Sequence, residues 1–220
     1  TDRKPGVSGL SVSRARVAIL GTGPGALDCA VALVQAGLRV TLIEDDANAA
    51  ERAGFFLSRV AAQRLLPGIS ADLADVDGAD AVIEALDAPP EQRMTRMAEV
   101  LDRVAPGTAL LTLTGCAMGA EQVSATLQQR LVHLHLFAPV HLRSLVEIAP
   151  CSRAAEEALP AAFDLVSLMG KTPVRAPLDR PSIGTRLERR MIRTCEDLLM
   201  QGAIPHEVDE AMVAFGFDLG

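Results

Sequence analysis

The string Gly21-Thr-Gly23-Pro-Gly25-Ala26 limits the fold more than any other feature, because it sits between a short β-branched run, Arg16–Leu20, and a helical stretch opening at Pro24. A chain that leaves a buried strand and enters a helix within a few residues must turn sharply, and glycines make that turn accessible. The helix start then offers unpaired backbone N–H groups, the place where the pyrophosphate of a dinucleotide sits. Gly21 permits the tight turn, Gly23 lets a phosphate approach the backbone, Gly25 completes the run, and Ala26 takes the third position, where alanine is tolerated. Glu44 closes the next strand about 20 residues after the first glycine, where an acid accepts hydrogen bonds from the adenosine ribose 2′-OH. Asp45 and Asp46 follow with no arginine to meet a 2′-phosphate, so NAD is expected over NADP.

From Arg16 onward, short apolar runs alternate with helical stretches. Strands are expected at Arg16–Leu20, Val40–Ile43, Ala81–Ala85, Ala109–Thr114, Leu131–Phe137, Leu145–Ala149 and Pro173–Ala176. Helices are expected at Pro24–Ala36, Ala47–Leu66, Pro90–Val104, Gly119–Arg130, Ala154–Met169, Ile183–Gln201 and Glu207–Ala214. This is the βαβ signature, and it predicts an α/β fold: a Rossmann-type, mostly parallel sheet with helices on both faces, followed by the start of an all-helical C-terminal domain. Pro177, Asp179 and Pro181 mark a loop near Arg180, which divides residues 16–180 from 181–220. Residues 1–15 read as a linker, since Thr1 to Ser13 are rich in Gly, Ser and Pro without the apolar run of a signal peptide.

Composition excludes several chemistries. A net charge of -7 without a lysine-rich run argues against a nucleic-acid partner, whose binding rests on phosphate neutralisation. With no Tyr or Trp, and only Lys4 and Lys171 as lysines, a Tyr/Lys proton-transfer pair cannot be assembled. Asp28, Gln35 and Arg39 interrupt the longest apolar region, so no membrane span is expected. The four cysteines, Cys29, Cys116, Cys151 and Cys195, lack metal-ligand spacing and read as buried apolar thiols in a reducing, cytoplasmic setting; no metal site is expected. Gly170-Lys171-Thr172 imitates the end of a phosphate-binding loop, but Leu165 stands where the loop needs glycine and Pro173 blocks the helix that should follow.

A second constellation is His133-Leu-His135-Leu-Phe137-Ala-Pro139-Val-His141, followed by Leu145-Val-Glu147-Ile148. His135 falls at the end of an apolar strand, on the side where open α/β sheets place their sites, and Glu147 lies in the next strand. A carboxylate that holds one imidazole nitrogen leaves the other as a base near neutral pH, suited to taking a hydroxyl proton while hydride leaves the same carbon. By spacing alone, alternating histidines are more often simply the surface of a strand.

Taken together, these segments resemble the 3-hydroxyacyl-CoA dehydrogenase family, and most closely the dehydrogenase part of multifunctional fatty-acid oxidation proteins. The resemblance rests on the glycine turn with Glu44, on Ala79-Asp-Ala-Val-Ile-Glu84-Ala, on the His135 and Glu147 segments, on Ile183-Gly184-Thr185-Arg186, and on Val208-Asp209-Glu-Ala-Met with Phe215-Gly-Phe-Asp-Leu-Gly220. It implies an NAD-dependent oxidoreductase acting on a 3-hydroxyacyl thioester, with His135 matching the catalytic base and Glu147 its partner. Glu84, Ala85 and Leu86 match contacts near the nicotinamide half of the cofactor, and Gly115 and Thr185 fall at substrate-contact positions.

Departures from the family pattern are concentrated in polar contacts. Leu113-Thr114-Gly115 replaces an Asn-Thr-Ser run, Ala138 replaces an Asn or Ser, Thr185 replaces an Asn, and a lysine expected after Glu84 is absent, with Arg93 the nearest positive charge. The segment from Glu44 to Asp80 is short of the helical excursion that approaches coenzyme A. The thioester is therefore expected on coenzyme A or, alternatively, on an acyl carrier protein meeting Arg186, Arg189, Arg190 and Arg193. A non-catalytic NAD- or partner-binding module is the other alternative. Ile192, Leu198, Leu199, Met212 and Phe215 need a partner surface, which makes a homodimer the expected assembly.

Overall fold

The computed structural model describes residues 15–60, 66–115, 124–177 and 182–217. Residues 1–14 of the expected linker and the loop around Arg180 lie outside them, whereas Ala15 is already packed in the core. The chain divides into two units, with the boundary between residues 178 and 179.

The first unit holds eight strands: β1 (Arg16–Leu20), β2 (Arg39–Ile43), β3 (Gly68–Ser70), β4 (Ala81–Glu84), β5 (Ala109–Thr112), β6 (Leu131–Leu136), β7 (Leu145–Pro150) and β8 (Thr172–Arg175). They form one sheet in the order β3-β2-β1-β4-β5-β6-β7-β8. β6 and β7 are antiparallel and the other neighbours are parallel. The strand order reverses beside β1 and β4, and in open α/β sheets ligands bind beyond the carboxyl ends of the strands at such a switch.

Both faces of the central strands are buried, which is why they read as continuous apolar runs rather than alternating ones. One face, with Val17, Ile19, Ile83, Leu111, Val132 and Leu134, packs against α1 (Pro24–Gln35), α2 (Ala47–Val60) and α5 (Leu159–Leu168). The other, with Ala18, Leu20, Val82, Leu110 and Leu131, packs against Met94, Met97 and Val100 of α3 (Pro90–Leu101) and Leu127 of α4 (Ala125–Gln128). Met94 and Met97 thus lie on the buried face that helical spacing predicts, and Leu101 packs against it partly exposed.

Three local readings differ from the structure. β3 carries too few residues for a periodic signal and exists because Thr41, Leu42 and Ile43 of β2 pair with it. The helix expected over Ala154–Met169 starts as a 3-10 turn over Arg153–Ala158 and becomes α-helical only at Leu159, because Pro160 lacks an N–H and is tolerated only in a first turn. Cys29 and Cys195 are free thiols, but Cys151 is disulfide-bonded, so the expectation of four free thiols fails at that position. Cys116 lies outside the described residues.

The second unit comprises α6 (Ile183–Met200), capped by the Ser182 hydroxyl on the Thr185 N–H, and α7 (Pro205–Phe215), ended by Gly216 at φ 118°. Neither helix has a buried residue, and Leu187, Ile192 and Phe215 are widely exposed. Among the described residues no helix is long and apolar enough to cross a membrane.

Two stability predictions follow from contacts at the carboxyl edge of the sheet. Gly21 has φ +97°, and a Cβ there would lie 2.9 Å from the Ala85 carbonyl oxygen. Gly21→Ala is therefore expected to cost about 2 kcal/mol or more, lowering Tm by roughly 5 °C in a calorimetric melt. At the end of the β5–β6 ladder, the His133 ring donates through Nδ1 to the Thr112 carbonyl at 3.0 Å. Burial holds the His133 pKa below the ordinary 6.5; the nearby His135 adds to that effect, while the Thr112 carbonyl, Glu147 and Glu84 oppose it. The unfolded chain thus binds a proton at this site that the folded chain resists, and the stability that neutral His133 contributes is lost as pH falls below about 6.5. Melts from pH 7.5 to 5 should show a smaller drop in Tm for His133→Gln than for the parent chain.

Candidate active site

The β6–β7 register places His135 directly opposite Glu147. In an antiparallel pair such residues share a face, with Cβ atoms about 5 Å apart. Glu147 is buried at 1% exposure, while His135 is half-buried near the strand end. Its ring packs edge-on against Phe137, with centroids 4.6 Å apart, and lies 6.2 Å from the His133 ring on the same face. The arrangement can hold an imidazole in one orientation, support its protonated form with a buried carboxylate, and leave the ring in reach of a ligand.

The glycine turn is built for an anion. Gly21 closes against the backbone of Ala85 and donates its N–H to the Ile43 carbonyl at 2.8 Å. Gly23 is the N-cap of α1 without side-chain capping, and Pro24 occupies the first turn. A Cβ built on Gly23 or Gly25 meets nothing within 4 Å, so the space above the helix start is open to a ligand's close approach. Ala26 is buried behind it. The Glu44 carboxylate is half-exposed at the end of β2, accepting from the Thr22 hydroxyl at 2.7 Å and from the Asp46 N–H at 3.1 Å. These residues fit a dinucleotide: backbone donors at a helix start, and an acid at the tip of the next strand. Thr22 escaped the sequence reading, although a hydroxyl between two turn glycines was its available signal.

Glu84 proves to be an internal anchor. It has no exposure, and its oxygens accept from Thr112 Oγ1 at 2.6 Å, Thr114 Oγ1 at 2.5 Å and the Leu86 N–H at 2.9 Å. The guanidinium of Arg93, itself buried, lies 3.7 Å from Glu84 and donates to the Thr114 hydroxyl. Arg93 was noticed in the sequence only as the nearest positive charge; its partner is visible only once α3 lies beside β4 and β5. Ala85 shapes the glycine turn through its carbonyl, and Leu86 packs against the Met94 and Met97 cluster. Gly115 takes φ +90° just after β5. Thr185 belongs to the second unit, where the Ser182 hydroxyl donates to its Oγ1 at 2.6 Å.

A cavity of about 570 Å³ is lined by Pro24 and Gly25 at the start of α1, Asp28 on its next turn, and His135, Ala138 and Val140 from β6 and the loop after it. Its remaining walls are apolar. That volume lies within the range of small-molecule sites. A cavity of similar size at the opposite end of the strands, around Gly107, Thr108 and Arg130, brings together no such donors and base. Lys171, from the string that imitates a phosphate loop, donates to the carbonyls of Val140 and Arg143.

Comparison with known proteins agrees with this architecture. Residues 57–179 match the family model described as the NAD-binding domain of 3-hydroxyacyl-CoA dehydrogenase. The peroxisomal bifunctional enzymes of Danio rerio and Cavia porcellus are 27% and 23% identical over 92% and 93% of this chain. The chain spans 30% of the length of each of these relatives. The 3-hydroxybutyryl-CoA dehydrogenase of Escherichia coli superposes with a TM-score of 0.75 at 25% identity, covering 94% of this chain and 48% of that one. With more than half of its length matched, on a sheet whose carboxyl edge carries the expected turn, acid and histidine, the chain belongs to the 3-hydroxyacyl-CoA dehydrogenase family.

Proposed function

We propose that the chain is an NAD-dependent oxidoreductase acting on a 3-hydroxyacyl thioester, with coenzyme A as the carrier, His135 as general base and Glu147 as its partner. The observation that carries this reading is the β6–β7 register, which sets His135 opposite a buried carboxylate beside a cavity that also contains the start of α1.

NAD, when bound, supplies the carbon that accepts hydride. Gly21, Gly23 and Gly25 leave room for the pyrophosphate, and Glu44 is placed for the adenosine ribose. His135 takes the proton of the substrate hydroxyl as the C–H bond on the same carbon gives up its electron pair. Glu147 stabilises the imidazolium that results, from a position that is itself shielded from water. The apolar cavity walls receive the acyl portion. The polar positions that differ from the family, Gly115 and Ala138, lower the expected affinity for the thioester without touching the base or its partner.

Dimerisation belongs to the same reading, since α6 and α7 bury none of their own residues and expose Leu187, Ile192 and Phe215. Light scattering should give about twice the 23.2 kDa of the chain.

Two measurements test the enzyme reading. Calorimetric titration should show micromolar-to-millimolar NAD binding, about tenfold weaker after Glu44→Ala, with NADP bound less well than NAD. Turnover of 3-hydroxybutyryl-CoA followed by NADH absorbance should fall at least a thousandfold in kcat, roughly, for His135→Ala and about a hundredfold for Glu147→Gln. A parent chain that binds NAD but oxidises no 3-hydroxyacyl thioester, on coenzyme A or on a carrier protein, would instead be a binding module.

A further inference from the structure

The loop from Phe137 to Ser144 leaves β6 after Leu136, the residue that follows His135, and contributes Ala138 and Val140 to the cavity wall. An irregular segment beside an apolar cavity must find partners for its backbone groups outside regular structure. Here they come from opposite sides. Val140 donates its N–H to Asp28 Oδ2 at 2.7 Å, and its carbonyl accepts from Lys171 Nζ, which also reaches the Arg143 carbonyl at 2.7 Å. The second oxygen of Asp28 lies 3.6 Å from His141 Nδ1 on the same loop. Asp28 belongs to α1, the helix that presents the glycine turn, and Lys171 stands at the entry to β8.

Asp28 is also the one acid among the described residues lining this cavity, and its side chain is 27% exposed. A carboxylate facing an apolar cavity is an odd choice for a site that receives an acyl group, unless its charge is committed elsewhere. A charge-assisted hydrogen bond to Val140 together with the His141 contact commits it.

We propose that Asp28 is a positioning residue: by tying the loop after His135 to α1, it sets the wall against which the acyl thioester is held. This rests on the functional reading above, since it assigns the cavity to that substrate. Asp28 touches neither reacting atom nor cofactor. Its effect runs through Val140 and Ala138, so it governs substrate affinity more than the chemical step.

The test uses the full chain with Asp28→Ala, Asp28→Asn and Lys171→Met. Asn keeps an acceptor for the Val140 N–H and gives up the charge. For Asp28→Ala, KM for 3-hydroxybutyryl-CoA, or the calorimetric Kd of that thioester, should rise about tenfold with kcat changed less than about threefold. Asp28→Asn should recover most of that loss, and Lys171→Met, which opens the other side of the loop, should raise KM in the same direction. Hydrogen exchange at the Val140 amide should quicken in Asp28→Ala and stay slow in Asp28→Asn. A folded Asp28→Ala with parental KM and Kd, or one losing kcat alone, overturns the proposal, as does an Asn variant no better than the Ala variant. If Asp28→Ala does not fold, the Asn and Lys171→Met results decide between the same outcomes. Failure of the enzyme reading looks different: the parent chain turns over no thioester. In that case the Kd and the Val140 exchange still judge Asp28, and a Val140 amide equally protected in the Ala variant rejects it whatever the activity.

Discussion

The carboxyl edge of the sheet is organised around a carboxylate that has no access to water. Glu84 is completely buried, and an uncompensated charge in that position would cost several kcal/mol, on the order of 3–5. The chain answers by bringing two threonines from the end of β5, the N–H of Leu86 and the guanidinium of Arg93 onto its two oxygens. Each of these partners ties a different element to the same point. Once β4, β5 and α3 converge there, the backbone at Ala85 is held against Gly21, and the turn that opens toward a phosphate can take only one shape. The cluster is therefore better understood as a specifier of geometry than as a source of net stability, since a buried ion pair often does no better than well-packed apolar side chains.

Two buried acids on one sheet thus serve different ends because of what surrounds them. Glu84 is saturated by protein donors. Glu147, on the far side of β6, is set by antiparallel pairing opposite an imidazole that is only half-buried. Between the two acids lies His133, which burial keeps neutral and whose Nδ1 is committed to a backbone carbonyl. Its ring lies 6.2 Å from that of His135 on the same face of the strand.

The family pattern and this chain part company mainly at the substrate side. The glycine turn, Glu44 and the facing residues His135 and Glu147 are all present, whereas Ala138 and Gly115 stand where the family pattern carries polar side chains. Thr114, the hydroxyl retained in that region, is engaged with Glu84 and Arg93. The loop bearing Ala138 is held through its backbone instead, by Asp28 on one side and Lys171 on the other.

The amino-acid sequence by itself determined those parts of the molecule whose cause is local. Strand, turn and helix around Gly21 to Ala26 follow from short-range backbone freedom, the apolar runs follow from burial on both faces, and Glu44 follows from its distance along one βα unit. His135 and Glu147 were legible through the ordered motifs of the family, whereas their antiparallel register is set by the assembled sheet. Only the tertiary structure decided that Glu84 is an anchor, that Arg93 meets it, that Cys151 is not a free thiol, that β3 exists, and that Asp28 reaches Val140. Glu84 with Thr112, β2 with β3, and Asp28 with Val140 join residues that sheet order brings together from separate βα units. No periodicity or composition carries such a contact, because its energy depends on a neighbour that the chain reaches only after the sheet has assembled.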